Sequence, residues 1–428
     1  MSGWRAAADV GGTFTDLVLV DPSGASAAVV KLPTTPDDPS RALLHGIEDL
    51  LADAGLAADE LDEVVHGTTL ITNALIQRSG AQTGLITTEG FCDVLEIRTE
   101  ARYDLYDLDI EIPAPLVPRR WRLGVPERVL ADGEVRRPLD VDAVRDAAKR
   151  LADDGVTSVA ISFLNSYRWP EHERLAAEVA AEACPELDIT TSAEVLPEMR
   201  EYARTATTVA NAYVRPLARR YLLSLATRIA AIAPNARLSL VASTGCVTPA
   251  RTAIRTPIRL LESGPAGGVL AAVRVASNVG IDDCLAFDMG GTTAKASYVL
   301  DGRPRLTSSF EVARIRRFVR GSGLPVQVPS IELIEIGAGG GSVAWVDRLG
   351  LLRVGPRSSG SEPGPACYGR GGAEPTVTDA DLLLGPLDSY SFLGGAMVLD
   401  VDAARRALDG LARVVGLTDA DEAAAAVR

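Results

Sequence analysis

The chain has 428 residues, 47% apolar and 23% charged, with a formal net charge of −14. That length and balance fit two or three globular domains with large cores and exclude wholesale disorder. The acidic total excludes a nucleic-acid scaffold, which needs a cationic footprint. The sequence also lacks the uninterrupted apolar run of about 18 residues that a membrane-spanning helix needs, and its first residues lack the basic-then-apolar layout of a secretory signal.

Residues 4–21 read as strand, glycine turn, strand, closed by a "DPSG" turn, with "AAVVKLPTT" as a third strand. An amphipathic helix follows in "PSRALLHGIEDLLADAG". Ser40 is placed as its N-cap, Leu43, Leu44, Ile47, Leu50 and Leu51 form one face, and Gly55 ends it. "EVVHGTT" and "TGLITTEGF" read as strands with the helix "LITNALIQRSG" between them. Hairpin material followed by βαβ units indicates an α/β fold with mixed sheets. The proline-rich stretch 102–139 is expected to run over the surface and end in a hairpin.

"VDAVRDAAKRLADDG", "TSVAISFL" and "PEHERLAAEVAAEAC" give helix, buried strand, helix. A domain boundary is expected near 185–205, dividing the chain into 1–195 and 196–428. A long helix follows, with Val209, Tyr213, Leu217, Tyr221, Leu225 and Ile229 on one face. Pro216 is expected to kink or restart it, and Arg200, Glu201 and Arg204 read as solvated helix charges. "LSLVAS" is a buried strand. "SGPAGGVLAAVRVASNVG" is a helix with Pro265 in its first turn and Gly280 past its end.

A repeat then arrives. "DVGGTFTD" at 9–16 returns as "DMGGTTAK" at 288–295, again between apolar strands, and "PSG" after the first copy matches "GRP" after the second. Residues 5–35 and 284–312 are therefore expected to form the same three antiparallel strands, as after an ancient duplication. Adjacent glycines expose consecutive backbone N–H groups to an oxyanion, and the threonine adds a hydroxyl donor. The aspartate at the strand end is placed to hold hydrated Mg²⁺ or to orient water. Two such turns on facing lobes suit the clamping of a triphosphate.

The longer strings "DVGGTFTDLVLVD", "HGTTLITNAL", "SGPAGG", "FDMGGTTAK", "EIGAGGGSVAWVD" and "GSEPGPACYGRGG" make the chain similar to the N-methylhydantoinase A / 5-oxoprolinase family, from about residue 4 to about residue 405. The paired turns resemble those of the wider actin, heat-shock-protein and sugar-kinase superfamily. This resemblance implies actin-like (ribonuclease H-like) ATPase lobes. It also implies ATP-dependent opening of a cyclic amide or imide such as 5-oxoproline or a hydantoin, by phosphoryl transfer to the carbonyl oxygen. ATP and Mg²⁺ are the cofactors implied, in an oligomer with a hydantoinase B-type partner subunit. ATP-dependent ketone carboxylation is the rival activity, and a nucleotide-binding regulatory subunit without turnover is the rival of another class.

Carried onto this sequence, the resemblance assigns Asp9, Gly11, Gly12, Thr13 and Thr15 to the first phosphate loop and Asp288, Gly290, Gly291, Thr292 and Thr293 to the second. Asp9 and Asp288 are the expected catalytic and metal-binding groups. Asp16 pins the second strand. Lys295 stands where many members carry an acidic residue. Members of this kind also continue beyond "LDVDAARRAL", so ATP affinity is expected to be weak until that part is supplied.

Other segments carry two readings each. Gly339 and Gly340 in "GAGGGS" are nucleotide contacts or a connector. His66 faces the cleft as a substrate group or lies in the core. Thr68, Thr69 and Asn73 bind substrate or cap the next helix. "SGPAGG" holds an anion or packs closely between lobes. The loop around Cys367 is a lining, a structural loop or a nucleophilic thiol. Cys92, Cys184, Cys246, Cys284 and Cys367 are odd in number and scattered, which reads as reduced thiols of a cytoplasmic protein. His45, His66 and His172 show no metal-ligand spacing.

Overall fold

The computed structural model describes residues 3–11, 14–35, 38–291, 294–316, 319–395 and 397–428. Strands β1 (Trp4–Val10), β2 (Phe14–Val20) and β3 (Ser26–Pro33) form the expected antiparallel meander. Helix α1 (Pro39–Ala54) then crosses back, so that β4 (Leu61–Thr68) lies parallel to β1. The N-cap of α1 is Asp38 rather than Ser40, because Pro39 takes the first helical position and the Asp38 side chain accepts the Ser40 N–H. Gly55 ends the helix in the left-handed conformation, as expected.

Beyond α2 (Leu70–Ile76) comes a second sheet, all parallel. Its strands are β5 (Thr83–Thr88), β6 (Arg122–Val125), β7 (Ser158–Ser162) and β8 (Asp188–Thr191), in the order β8–β7–β5–β6. The stretch 102–139 is therefore not purely a surface excursion, since β6 enters this sheet before the short hairpin at 128–137. Helices α3 (Val141–Asp153) and α4 (Glu171–Ala183) pack with these strands around Val144, Leu151, Ile161 and Ala180. Glu173 is fully buried and accepts N–H bonds from Phe163 (2.8 Å) and Ala193 (2.9 Å) and the Ser192 hydroxyl (2.7 Å), tying α4 to the strand ends.

Helix α5 (Glu201–Ile232) runs unbroken through Pro216. The proline frees the carbonyl of Ala212, and the Ser158 hydroxyl donates to it at 2.7 Å. The neighbouring carbonyl of Tyr213 accepts from the Ala81 N–H at 2.9 Å. Sheet and loop thus supply the bond the helix lacks, and no restart occurs. Arg204 is not a solvated charge. It is fully buried and donates to the carbonyls of Glu198 and Phe163, both at 2.9 Å.

The first sheet is completed by β9 (Arg237–Val241), parallel to β4, and β10 (Val247–Pro249), giving the order β10–β9–β4–β1–β2–β3. The first sheet thus spans the boundary expected at 195/196. The sheet begun by β1 takes its last two strands from beyond it, and one core runs from Ala6 to Val328.

Helix α6 (Ser263–Asn278) leads to the second hairpin. This is β11 (Cys284–Met289) antiparallel to β12 (Ala294–Leu300), which pairs in turn with β13 (Arg303–Pro304). The first two strands of the repeat are present, but the third is not matched: residues 306–307 and 310–312, expected to continue it, pair in other sheets. β13 covers only the far end of β12, and β14 (Ile334–Ile336) pairs with its near end at 294–296. A last hairpin, β15 (Ser342–Val346) with β16 (Leu352–Ser358), packs on α7 (Val377–Leu384), α8 (Val401–Val415) and α9 (Ala420–Val427).

No helix among the described residues is long and apolar enough to cross a membrane.

Candidate phosphate cleft

The two glycine hairpins have the same register. Asp9 stands opposite Asp16 across β1 and β2, and Asp288 stands opposite Lys295 across β11 and β12. Opposed residues share a face of an antiparallel sheet. Each hairpin thus presents an aspartate and a second charged residue on one face, and both aspartates are open to solvent. Gly11 closes the first turn by donating to the carbonyl of Phe14 at 3.0 Å.

The turns are also buttressed alike. The carbonyl of Gly11 accepts from the Thr34 hydroxyl (2.9 Å), just past β3. The matching carbonyl of Gly290 accepts from the Gly340 N–H (2.9 Å), just past β14, and that of Gly291 from the Gly341 N–H (2.7 Å). In both copies the segment after the edge strand holds the turn. Gly339 and Gly340 are therefore brought against the second hairpin. A Cβ at Gly340 would lie 2.8 Å from the Thr378 hydroxyl oxygen, so close approach there needs glycine.

Helix α6 passes between the aspartates. A Cβ at Gly264 would fall 2.8 Å from Asp9 Oδ1, and one at Gly268 3.7 Å from Asp288 Oδ2. Gly67, at the end of β4, approaches Asp9 from another side, at 3.1 Å by the same measure. The Ser263 hydroxyl accepts the Thr68 N–H and donates to the Thr68 carbonyl, each at 2.9 Å, which fixes the start of α6 on β4. The positive end of the helix is thus set beside the Asp9 carboxylate. Desolvation in the cleft, with Asp16 and Asp288 nearby, raises the Asp9 carboxyl above its usual value, against the pull of Lys31 and Lys295.

Other expected residues are placed differently. Thr15 is fully buried, with its hydroxyl 2.9 Å from that of Thr34. It shares the core face with Val10, one step out of phase with Asp9, so it supports the turn from behind and faces away from the cleft. His66 is buried in the core. Its Nδ1–H donates to the carbonyl of Ala8 (3.4 Å) and its Nε2 accepts from the Tyr221 hydroxyl (2.9 Å), which leaves it no open side. Burial lowers its pKa to about 4. Thr68 is buried and its hydroxyl accepts the Leu70 N–H (3.2 Å), a capping contact, while Asn73 is exposed and reaches the Thr69 hydroxyl at 3.3 Å. Gly12, Thr13, Thr292 and Thr293 lie outside the described residues.

Cys367 is no nucleophile. It is fully buried and burial pushes its thiol well up, while its N–H and that of Thr376 donate to Asp379, which holds the loop. The sequence reading missed Glu262, whose carboxylate pairs with Lys295, and Lys31, whose ammonium lies 2.6 and 2.8 Å from the Asp16 oxygens. It also missed Gly67, although Gly-Thr-Thr at a strand end is the signal that marks such close approach.

The profile of the hydantoinase/oxoprolinase N-terminal region matches residues 5–184, and that of hydantoinase/oxoprolinase matches residues 204–428. An uncharacterised protein of Methanocaldococcus jannaschii is 40% identical over 97% of this chain and 61% of its own length. Caprolactamase subunit alpha of Pseudomonas jessenii is 37% identical over 94% of this chain and 57% of its own. The crystal structure of the ATP-dependent caprolactamase from that organism superposes with a TM-score of 0.81 at 36% identity, over 99% of this chain and 61% of the other. The nucleotide-free structure of acetone carboxylase superposes with a TM-score of 0.78 at 28% identity, over 100% of this chain and 61% of the other. The chain spans about three-fifths of the length of these relatives. With two profiles in succession and this similarity along its length, the chain belongs to the hydantoinase/oxoprolinase family.

Proposed function

We propose that this chain is the nucleotide-binding part of an ATP-dependent amidohydrolase that opens a cyclic amide. The observation that carries the reading is the pair of register-matched hairpins whose aspartates, Asp9 and Asp288, approach the same helix, α6, at Gly264 and Gly268. ATP supplies the phosphoryl group that turns the amide oxygen into a leaving oxygen. The chain's own part is positioning and charge. The exposed Gly290 and Gly291 of the second turn and the start of α6 offer N–H groups to phosphate oxygens, and such fixed dipoles need no reorganisation during transfer.

The donor set also fits Mg²⁺. Mg²⁺ commonly uses one or two carboxylates together with phosphates and water. Asp9 and Asp288 supply hard oxygens, and a cation between them would offset the desolvation and the lesser carboxylate repulsion that raise the Asp9 carboxyl. No cluster of three or more His, Cys, Asp or Glu candidate ligands occurs among the described residues.

A lactam is favoured as substrate over a ketone because identity to the caprolactamase exceeds that to the acetone carboxylase. A partner of the hydantoinase B type completes the hydrolysis. The test is ATP consumption by the chain assembled with such a partner, offered caprolactam, 5-oxoproline, hydantoin, or acetone with bicarbonate. ATP use that depends on a cyclic amide, with a ring-opened product, is expected. ATP use that depends on acetone and bicarbonate alone would replace this reading with carboxylation.

Gly264→Ala provides a sharper check on the cleft. Its Cβ would displace the Asp9 carboxylate. Misplacing a reacting group by a fraction of an ångström is expected to lower ATP turnover about tenfold or more. Alanine is the better helix former, so melting should not fall. Unchanged turnover would mean that the Asp9 position does not matter.

A further inference from the structure

The two hairpins differ in charge at one matched position. Asp16 in the first copy is replaced by Lys295 in the second, on the same face as Asp288. Lys295 is only 16% exposed and pairs with Glu262, which is 9% exposed. Glu262 holds a left-handed backbone (φ 55°) immediately before α6, a conformation costly for a residue with a side chain. Its side chain does not cap the helix. Strain of this kind persists where the surroundings fix it, and here it places a carboxylate against Lys295.

Lys31 and Lys295 are the cations whose charge acts on Asp9. Lys31 is held by both oxygens of Asp16 and is the more exposed, at 36%. Lys295 sits deeper. An ammonium has three donors, and Glu262 is its one partner among the described residues. A triphosphate brings more negative charge than a metal between two carboxylates offsets. The cation on the second hairpin is the group in place to meet the remainder.

We infer that Lys295, tethered by Glu262, contacts the terminal phosphate of a bound nucleoside triphosphate and so favours tri- over diphosphate. This rests on the nucleotide reading of the cleft. A purely structural Lys295 would only hold α6 to the sheet. Loss of its charge would then change melting and leave phosphate preference alone.

The test titrates residues 1–428 with ATP, ADP and inorganic tripolyphosphate in the presence of Mg²⁺, followed by ³¹P NMR, which reads weak binding. Tripolyphosphate removes any need for adenosine contacts. Lys295→Met is expected to weaken ATP and tripolyphosphate about tenfold or more, and ADP less than about threefold. Lys295→Arg should stay within about threefold of the unmodified chain for all three. Lys295→Gln, which can still bond Glu262, is carried in parallel in case the Met variant does not fold, and should behave as Met does. An unchanged ATP-to-ADP ratio in the Met and Gln variants overturns the inference and leaves the cleft reading intact. Binding of none of the three by the unmodified chain overturns the cleft reading and the inference with it.

Discussion

Asp9→Asn and Asp288→Asn are each expected to lower ATP turnover of the assembled enzyme by about a hundredfold or more, with melting temperatures close to that of the unmodified chain. Asparagine keeps the size and one acceptor oxygen and removes the charge. If each carboxylate meets a metal or the transferring group, its loss removes a few kcal/mol of transition-state stabilisation. Among the described residues, neither carboxylate hydrogen-bonds to its own turn. The first is held by the Gly11-to-Phe14 bond and the Thr34 hydroxyl, the second by the N–H groups of Gly340 and Gly341. Asp9 also sits with Asp16 and Asp288 in like-charge company, so neutralising it relieves repulsion. An architectural role predicts the opposite pattern, a stability loss with little effect on rate. Near-normal turnover in both variants would reduce the repeated turn to architecture.

The hairpins were legible because their chemistry is local. Paired glycines, a strand-end aspartate and flanking apolar runs fix a turn within eight residues. Strand parity was equally available, and it places Thr15 one step out of phase with Asp9. Reading the motif as a unit put that threonine in the cleft, whereas alternation alone turns it to the core. The same holds for Ser40. Pro39 at the first helical position marks the residue before it, Asp38, as the cap. Glu262 and β14 were not legible. They lie 33 and about 40 residues from the positions they meet in the second hairpin, and nothing in their own segments marks a partner. Arg204 failed for a related reason. A charge on a helix is normally solvated, and the carbonyls of Glu198 and Phe163, brought in by tertiary packing, help the nearby Glu201 carboxylate make its burial tolerable. That the first sheet draws strands from both sides of residue 195 was not legible either, because β9 returns to it across α5 in a parallel pairing without a local signature.

Acidification is expected to destabilise the chain through His66 in particular, by about 2 kcal/mol at pH 5 and about 3 kcal/mol once both states are protonated. The folded pKa is about 4, against an ordinary value of 6.5, because the ring is fully buried. Below pH 6.5 the unfolded chain binds a proton that the folded chain refuses. The contribution is therefore complete above pH 6.5 and is lost as pH falls from there to about 4. The hydrogen bonds assign the neutral tautomer, with Nδ1–H on the Ala8 carbonyl and Nε2 accepting from Tyr221, and a second proton on Nε2 would require the Tyr221 hydroxyl to turn from donor to acceptor. Ala8 immediately precedes Asp9, so this core contact also fixes the strand that carries the first cleft aspartate. Carboxylates titrate over the same range, which makes the comparison with a variant essential. His66→Gln keeps a donor and an acceptor and cannot titrate there. Denaturant unfolding of both proteins at pH 7.5 and pH 5 should show the unmodified chain losing about 2 kcal/mol more than the variant, whatever their difference at pH 7.5. Parallel losses would mean that His66 takes up its proton in the folded state without penalty, and that the ring is not buried as described.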